Sequence, residues 1–167
     1  VPTYADQCLF MKIGKHGNVY CLVYVDDILF AGHATDVQEA VDIILSTYDA
    51  TDEGDASSFL GMAIIRDRLR RTLKLKQTAY IEDMASKYNF DDDQPNRKVT
   101  IPMKTEDPGP SNPLGSEKAG IYASMVGSLL YLANCTRPDI SFAVGVLSRH
   151  MANPEENHLK MVKYLLR

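Results

Sequence analysis

The sequence contains no tryptophan, only three cysteines and no long apolar run. Cys8, Cys21 and Cys135 are odd in number, far apart and without a CxxC pair. We therefore expect reduced, mostly buried thiols rather than a disulfide or a zinc site. No stretch approaches the roughly 18 consecutive apolar residues of a transmembrane helix. Nor does the chain open with the cationic and then apolar residues of a signal peptide.

The histidines lack a ligand pattern, and the chain lacks an excess of positive charge. His16, His33, His150 and His158 do not follow the spacing of a metal site, so we expect none of them to bind a metal. The formal net charge is −4. Phosphate neutralisation dominates the affinity of most nucleic-acid binders, so this charge argues against tight autonomous binding to DNA or RNA.

The composition is that of an ordinary globular protein, with 45% hydrophobic and 24% charged residues among 167. This length can bury a sizeable core and fits one domain or two small subdomains. The first residue is Val1 rather than Met, which hints at a fragment of a longer protein.

Two adjacent carboxylates, Asp26 and Asp27, lie between apolar runs in residues 23–32, Val-Tyr-Val-Asp-Asp-Ile-Leu-Phe-Ala-Gly. The pattern predicts a hairpin with this pair at its turn. A cation bound there would neutralise the two carboxylates. Asp is also a favoured turn residue on backbone grounds alone, so the pair does not by itself establish a metal site. The second strand is apolar at nearly every position, so we expect it to be central and covered on both faces. Strands of an antiparallel meander are predicted at 7–13, 19–25 and 28–31.

The segment after the hairpin predicts a helix and then another strand. Thr35 and Gln38 have the spacing of a capping box, and an apolar stripe at helical spacing runs from Val37 to Tyr48. Residues 59–65 return to strand character. We expect the helix to lie across one face of the sheet.

The second half of the chain predicts helices separated by a linker. Thr78 can begin one helix, and three more are predicted within residues 117–167, the last starting at Asn153-Pro154. Residues 91–116 are too rich in proline for a helix and read as a linker. The predicted fold class is therefore α+β, an antiparallel sheet with packed helices followed by a helical region.

A basic strip occupies residues 66–76, with six basic residues and one acid. Basic residues occur at every second position in each half of the strip, which would place most of their charge on one face of a hairpin. The strip can be a solvated sheet edge protected by charge, or it can be a surface that contacts phosphates. The basic residues are Arg66, Arg68, Arg70, Arg71, Lys74 and Lys76.

Several segments resemble the reverse transcriptases of copia-type retrotransposons, in the order in which that family has them. Residues 24–27, Tyr-Val-Asp-Asp, are similar to the metal-binding turn, and residues 59–62, Phe-Leu-Gly-Met, to the strand that grips the primer. The resemblance covers essentially the whole chain, although Lys76 stands where serine is usual and Ile101 interrupts a usual Thr-Pro pair. The further matching segments are Leu75–Ile81, Tyr122–Leu132, Thr136–Ile140 and Leu147–Pro154.

The resemblance implies a division of the chain into four segments. Residues 1–65 would be part of the polymerase palm, with the catalytic hairpin and the primer-grip strand. Residues 66–90 would be a basic hairpin and the thumb helix, and residues 91–116 a linker. Residues 117–167 would be a helical connection segment that leads towards ribonuclease H.

The resemblance also implies RNA-directed DNA synthesis by two-metal nucleotidyl transfer, with Mg²⁺ or Mn²⁺ as cofactor. Asp26 and Asp27 would be the catalytic and metal-site acids, Asp26 as a ligand and Asp27 chiefly through its charge. The implied partners are a template–primer of RNA or DNA, dNTP and the remainder of the polyprotein, inside the cell and without a membrane. The residues implied to contact template–primer are Tyr24, Val25, Phe59, Leu60, Gly61, Arg66, Arg68, Arg70, Arg71 and Lys74.

One expected part of the catalytic site is not found in these residues. The family takes a third carboxylate from a strand upstream of the hairpin, and the residues before Tyr24 supply only Asp6, on no recognisable motif. We therefore expect the 167 residues alone to be inactive. Two other interpretations remain: a non-catalytic retroelement remnant that binds RNA or protein, and a palm-type nucleotide cyclase. Nucleotide cyclases of this type have a glycine-rich turn at the hairpin, which this sequence lacks.

Overall fold

The computed structural model describes residues 1–88, 100–103 and 109–166. The chain divides into two compact units, Val1–Lys74 (unit 1) and Leu75–Arg167 (unit 2). Within the described residues the fold belongs to the predicted α+β class, with five α-helices and two small antiparallel sheets rather than the one sheet predicted. None of the described helices is long and apolar enough to cross a membrane.

The first sheet of unit 1 is the predicted three-stranded meander, in the order β1-β2-β3. Its register aligns Leu9 with Leu22 and Leu22 with Leu29, and the neighbouring row aligns Phe10, Cys21 and Phe30. Directly opposed residues share a face, so these two rows line opposite faces of the sheet. The strands are β1 (Leu9–Ile13), β2 (Asn18–Tyr24) and β3 (Asp27–Ala31).

The expectation that the central strand is covered on both faces is wrong. Val19 is 2% exposed, but Tyr20 is 41% and Tyr24 54% exposed. The helix of unit 1, α1 (Ala34–Thr47), shares an apolar cavity with the row of Phe10 and Phe30. One helix lies over one face only, so a strand can be central in the hydrogen-bonded order and still be open on its other face.

Helix α1 begins without the predicted capping box. Its N-cap residue is His33, which makes no side-chain cap bond, and Thr35 lies inside the helix. The chain leaves β3 through Gly32, where an added Cβ would approach the Asn18 carbonyl oxygen to 3.0 Å. A side chain at this position would be crowded against β2, so glycine suits the connection.

The predicted strand over 59–65 is interrupted by a turn. Leu60 (φ 51°) and Gly61 (φ 74°) both adopt left-handed backbone conformations, and Phe59 pairs with Met62. Two successive positive φ angles are typical of a two-residue hairpin loop. The second sheet has the order β4-β5-β6, with β4 (Ser58–Phe59), β5 (Met62–Asp67) and β6 (Thr72–Lys76).

The described residues of unit 2 after β6 are mainly helical and confirm the three helices predicted after residue 117. The last helix starts later than predicted, because its N-cap is Glu155 rather than Asn153. The Glu155 N–H donates to His158 Nδ1 at 2.9 Å, which closes a capping box. The elements are α2 (Thr78–Tyr88), α3 (Ser116–Cys135), a 3₁₀ turn (Pro138–Ile140), α4 (Ser141–Ser148) and α5 (Glu156–Leu165).

Unit 2 has a continuous apolar core that joins α2, α3, α4 and α5. Tyr122 lies at its centre and donates a hydrogen bond from its hydroxyl to the Leu147 carbonyl oxygen at 2.6 Å. Burial raises the pKa of Tyr122 to about 12. The buried members are Met84, Tyr122, Met125, Val126, Leu129, Leu132, Ala133, Ile140, Val144, Leu147 and Val162.

The cysteines are free, as predicted, but they are not mostly buried. Cys8 and Cys135 are exposed, whereas Cys21 is half-buried and burial raises its pKa. Most of the predicted 91–116 linker lies outside the described residues. The division after Lys74 falls inside the predicted 66–90 segment, whose boundaries stay predictions.

Candidate active site

The acid-tipped hairpin is present, with its turn one residue earlier than predicted. Strand β2 ends at Tyr24 and β3 begins at Asp27, and these two residues pair across the strands. The turn is therefore Val25-Asp26 rather than Asp26-Asp27. Both carboxylates are exposed. Asp26 lies at the tip, and Asp27 is the first residue of a strand.

Val25 adopts an unusual backbone conformation at this tip. Its φ angle is 53°, in the left-handed region that disfavours β-branched side chains, and it is 83% exposed. Such a conformation costs on the order of 1–3 kcal/mol and persists only where the surrounding structure imposes it. Here the β2–β3 ladder imposes it, because a two-residue loop matches the strand twist only with a positive φ.

The register places one acid on the face of the first sheet that α1 leaves open. Asp27 is opposite Tyr24, and residues two apart on a strand share a face, so both lie on the face of Leu22 and Leu29. Helix α1 lies on the other face, with Phe30. The carboxylate of Asp27 is thus accessible from the side that is free of the helix.

A third acidic ligand does not join the pair within the part of the chain that the structure describes. Among residues 1–88, 100–103 and 109–166, the one group of three or more His, Cys, Asp or Glu side chains close enough to share an ion is elsewhere, at His16, His33 and Asp36. Asp6 serves its own local turn, since its Oδ1 accepts the Cys8 N–H at 2.8 Å. Oxygen ligands such as Asp26 and Asp27 suit Mg²⁺, which usually takes one or two carboxylates together with substrate phosphates.

The residues predicted to contact the primer lie on two different hairpins. Tyr24 and Val25 belong to the acid turn itself. Phe59 ends β4 and is half-buried, whereas Leu60 and Gly61 form the separate turn between β4 and β5. The structure therefore places these predicted contacts on two hairpins of unit 1.

The basic strip forms the predicted hairpin, but its arginines do not alternate on one face. The turn at residues 68–71 removes Arg68 and Arg70 from the strands, leaving Arg66 on β5 and Lys74 on β6. All the basic side chains, including Arg71 and Lys76, are exposed.

Two of these arginines have acidic partners. Arg68 Nη2 lies 2.7 Å from Asp55 Oδ1, and Arg70 Nε lies 3.8 Å from Asp67 Oδ2. Exposed pairs of this kind contribute little to stability, about 0–1 kcal/mol, so a phosphate can compete for the cations.

The sequence did not predict that two histidines meet. His16 and His33 stack with ring centroids 4.3 Å apart, beside the buried carboxylate of Asp36. The backbone N–H of His16 is the main cause that lowers the pKa of Asp36. No local spacing signals this meeting, because the strand pairing brings these residues together.

Comparison with known proteins gives matches along the chain. The sequence profile described as reverse transcriptase (RNA-dependent DNA polymerase) matches residues 2–105. The retrovirus-related Pol polyprotein from transposon TNT 1-94 of Nicotiana tabacum is 37% identical over 176 residues, covering 100% of this chain and 13% of the polyprotein. The corresponding polyprotein from transposon RE1 of Arabidopsis thaliana is 38% identical over 172 residues, covering 100% and 11%.

A yeast relative is shorter. The putative transposon Ty5-1 protein of Saccharomyces cerevisiae is 30% identical over 179 residues, covering 95% of this chain and 51% of that protein. No solved structure matches the chain. The chain therefore spans a small part of the plant polyproteins and about half of the yeast protein.

Proposed function

Since this chain belongs to the copia-type reverse transcriptase family, we propose that it forms part of an RNA-directed DNA polymerase and carries its acid turn. The observation that carries this proposal is the exposed Val25-Asp26 turn with Asp27 beside it, inside the matched residues 2–105. A hairpin tip can reach a nucleic acid in a way that buried acids cannot.

Within the complete polymerase, Asp26 would hold a divalent cation, Mg²⁺ or Mn²⁺. Bound ions of this kind activate the primer 3′-hydroxyl and neutralise charge on the triphosphate. Asp27 would add negative charge beside the ions. Tyr24, which is opposite Asp27 on the same face, would lie by the primer terminus, with Val25 near the growing base pair.

We assign the first sheet to the palm and the β4–β5 turn to its primer-gripping part, with the basic hairpin and α2 at the start of a thumb. The open face that carries Tyr24 and Asp27 supports this assignment, because a template–primer must lie against uncovered surface. The partners would be an RNA or DNA template–primer, dNTP and other parts of the polyprotein, in an intracellular compartment. Residues 117–167 would connect to the part that degrades RNA.

We further propose that the 167 residues alone do not extend a primer. Asp26 and Asp27 provide two carboxylates, and the family's upstream acid is not among these residues. Asp6 is engaged with the Cys8 N–H instead. Two carboxylates without a third would hold divalent cations weakly, and the nucleotide would lack its binding segment.

The test uses a longer polyprotein segment that contains this chain together with its upstream polymerase residues. We expect Asp26→Asn to lower the rate of dNTP incorporation at least about 100-fold, as when a charge-stabilising group is removed from an active site. Asp6→Asn should retain activity and serves as the matched control. Unchanged incorporation by Asp26→Asn would contradict the proposed role of the acid turn and favour a non-catalytic binding remnant. Incorporation by the 167 residues alone would instead contradict the proposal that they are inactive by themselves.

The basic strip can be tested in the same segment. Replacing Arg68, Arg70 and Arg71 with Gln should weaken template–primer binding and flatten its salt dependence. The log–log slope should become shallower by about 0.9 for each duplex phosphate that the variant no longer neutralises. The matched control replaces three exposed lysines of unit 2. If the arginine variant and the parent segment have the same affinity and the same salt slope, the strip is a solvated sheet edge and does not contact phosphates. The control lysines are Lys118, Lys160 and Lys163.

A further inference from the structure

Two histidines and one buried carboxylate meet where the β1–β2 turn reaches the first turn of α1. One potential ligand atom from each of His16, His33 and Asp36 lies within 4.8 Å of the others. His16 is in the turn after β1, His33 is the N-cap of α1, and Asp36 is the third residue of that helix. In the described ranges, this is the one group of its kind.

The carboxylate of this cluster is firmly positioned. Asp36 is 2% exposed, and its Oδ2 accepts the backbone N–H of His16 at 2.8 Å. Gly14 lies so close that an added Cβ would overlap the Asp36 carboxylate. The turn therefore closes around Asp36, which fixes the direction of its second oxygen.

That second oxygen faces an imidazole at a distance suited to a shared ion. Asp36 Oδ1 is 3.1 Å from His16 Nδ1, a direct hydrogen bond that an ion bound between the two atoms would replace. Adjacent ligands of a tetrahedral ion with bonds of about 2.0–2.1 Å are separated by roughly 3.3 Å. The ring of His33 stacks on that of His16 at an interplanar angle of 24°, and His33 is exposed. Rotation of its side chain can bring a ring nitrogen to the same ion.

We propose that His16, His33 and Asp36 bind a divalent transition-metal ion of the Zn²⁺ class, at a site separate from the acid turn. Imidazole nitrogens and a carboxylate oxygen are ligands that Zn²⁺ accepts, and three protein ligands leave a fourth position open. Asp36 neutralises part of the ion's charge, and the His16 N–H bond to Oδ2 keeps the carboxylate oriented. Lys15, the neighbouring cation, pairs with Glu39 at 3.5 Å.

Such an ion would join the β1–β2 turn to the start of α1. Both histidines lie in connecting segments rather than in strands, so the metal would tie together two connections of unit 1. This inference does not depend on the proposed polymerase function, because it uses neither Asp26 nor Asp27.

The test titrates Zn²⁺, as the chloride, into the 167-residue protein by isothermal titration calorimetry. We expect one saturable site, and at least a tenfold loss of affinity in His33→Ala. His33 is exposed and makes no side-chain cap bond, so this variant should fold, which circular dichroism checks. Histidine NMR signals provide a second readout, with Zn²⁺ expected to move those of His16 and His33.

Two matched variants make the result specific. His150 and His158 also stack, with ring centroids 3.8 Å apart, but they are not part of a three-ligand group, so His150→Ala should bind Zn²⁺ as tightly as the parent protein. Asp26→Asn should also leave the affinity unchanged. Absence of a saturable site, equal affinity in His33→Ala, or a loss in Asp26→Asn would overturn the proposal.

Discussion

The two units of this chain bury their apolar residues very differently. Among the described residues of each unit, Val19 is the only buried apolar residue in unit 1, whereas eleven buried residues form one core cluster in unit 2. Apolar side chains are not scarce in unit 1. Many of them are exposed, including Phe10, Ile13, Tyr20, Ile28, Ile43, Tyr48 and Ile65.

The difference follows from architecture rather than composition. Helices α3, α4 and α5 pack against one another, so the apolar side of each helix, with residues such as Tyr122 and Val144, is buried against its neighbours. The three-stranded sheet has two faces and shares a cavity with one helix. Burial of apolar surface contributes about 25 cal/mol per Å², so we expect unit 1 to be the less stable unit.

The largest expected effect compares the same truncation in the two units. Leu147→Ala should lower the free energy of unfolding of unit 2 by about 2–5 kcal/mol, because Leu147 is fully buried. Leu45→Ala removes the same atoms from α1, where the leucine is 39% exposed, and should cost less than about 1 kcal/mol. Hydrogen exchange of the α3 and α1 amides in increasing urea measures both. Equal losses would remove the contrast between the units.

A smaller effect concerns strain in unit 1. Val25→Gly should stabilise the hairpin by about 1 kcal/mol, since relief of roughly 1–3 kcal/mol of backbone strain exceeds the entropic cost of glycine, about 0.5–1 kcal/mol. Val23→Gly, in strand β2 without a positive φ, should destabilise instead. The exchange rates of the β2 and β3 amides report both changes. A loss of stability in Val25→Gly would show that the conformation is not strained.

The smallest expected effect is a difference in acid sensitivity. The His16 N–H lowers the pKa of Asp36 in unit 1, and the Ser111 N–H likewise lowers the pKa of Glu155 in unit 2. Each carboxylate therefore adds stability above its ordinary pKa, about 4, and this is lost as the pH falls through the lowered value.

The matched variants Asp36→Asn and Glu155→Gln assign that loss to one unit each. We expect Asp36→Asn to flatten the acid dependence of exchange in α1 and to leave that of α5 intact. Glu155→Gln should do the reverse. If both variants keep the acid dependence of exchange of the parent protein, neither carboxylate is the cause of the loss of stability at low pH.

Part of the fold was predictable because its causes are local. The three-stranded meander follows from apolar runs separated by turn residues, and the helices of unit 2 follow from apolar stripes at helical spacing. The exact turns were not predictable. Because Tyr24 pairs with Asp27, the acid turn lies one residue earlier than predicted. Because Phe59 pairs with Met62, a turn interrupts the strand predicted over 59–65.

The same distinction applies to the sites. The residues 24–27, Tyr-Val-Asp-Asp, were recognisable because the motif is contiguous, and the matching family supports their proposed role. The cluster of His16, His33 and Asp36 has no such signature. Its members come from the β1–β2 turn and from the entry to α1, and only the folded sheet brings them within reach.

By itself, then, the sequence determined the family, the α+β class and the presence of an acid-tipped hairpin, since each depends on residues close together in the chain. The tertiary structure alone decided which face of the sheet stays open, which acid lies at the tip and which histidines meet. Those properties depend on strand register and on what packs against each face, and both are set by contacts between distant residues.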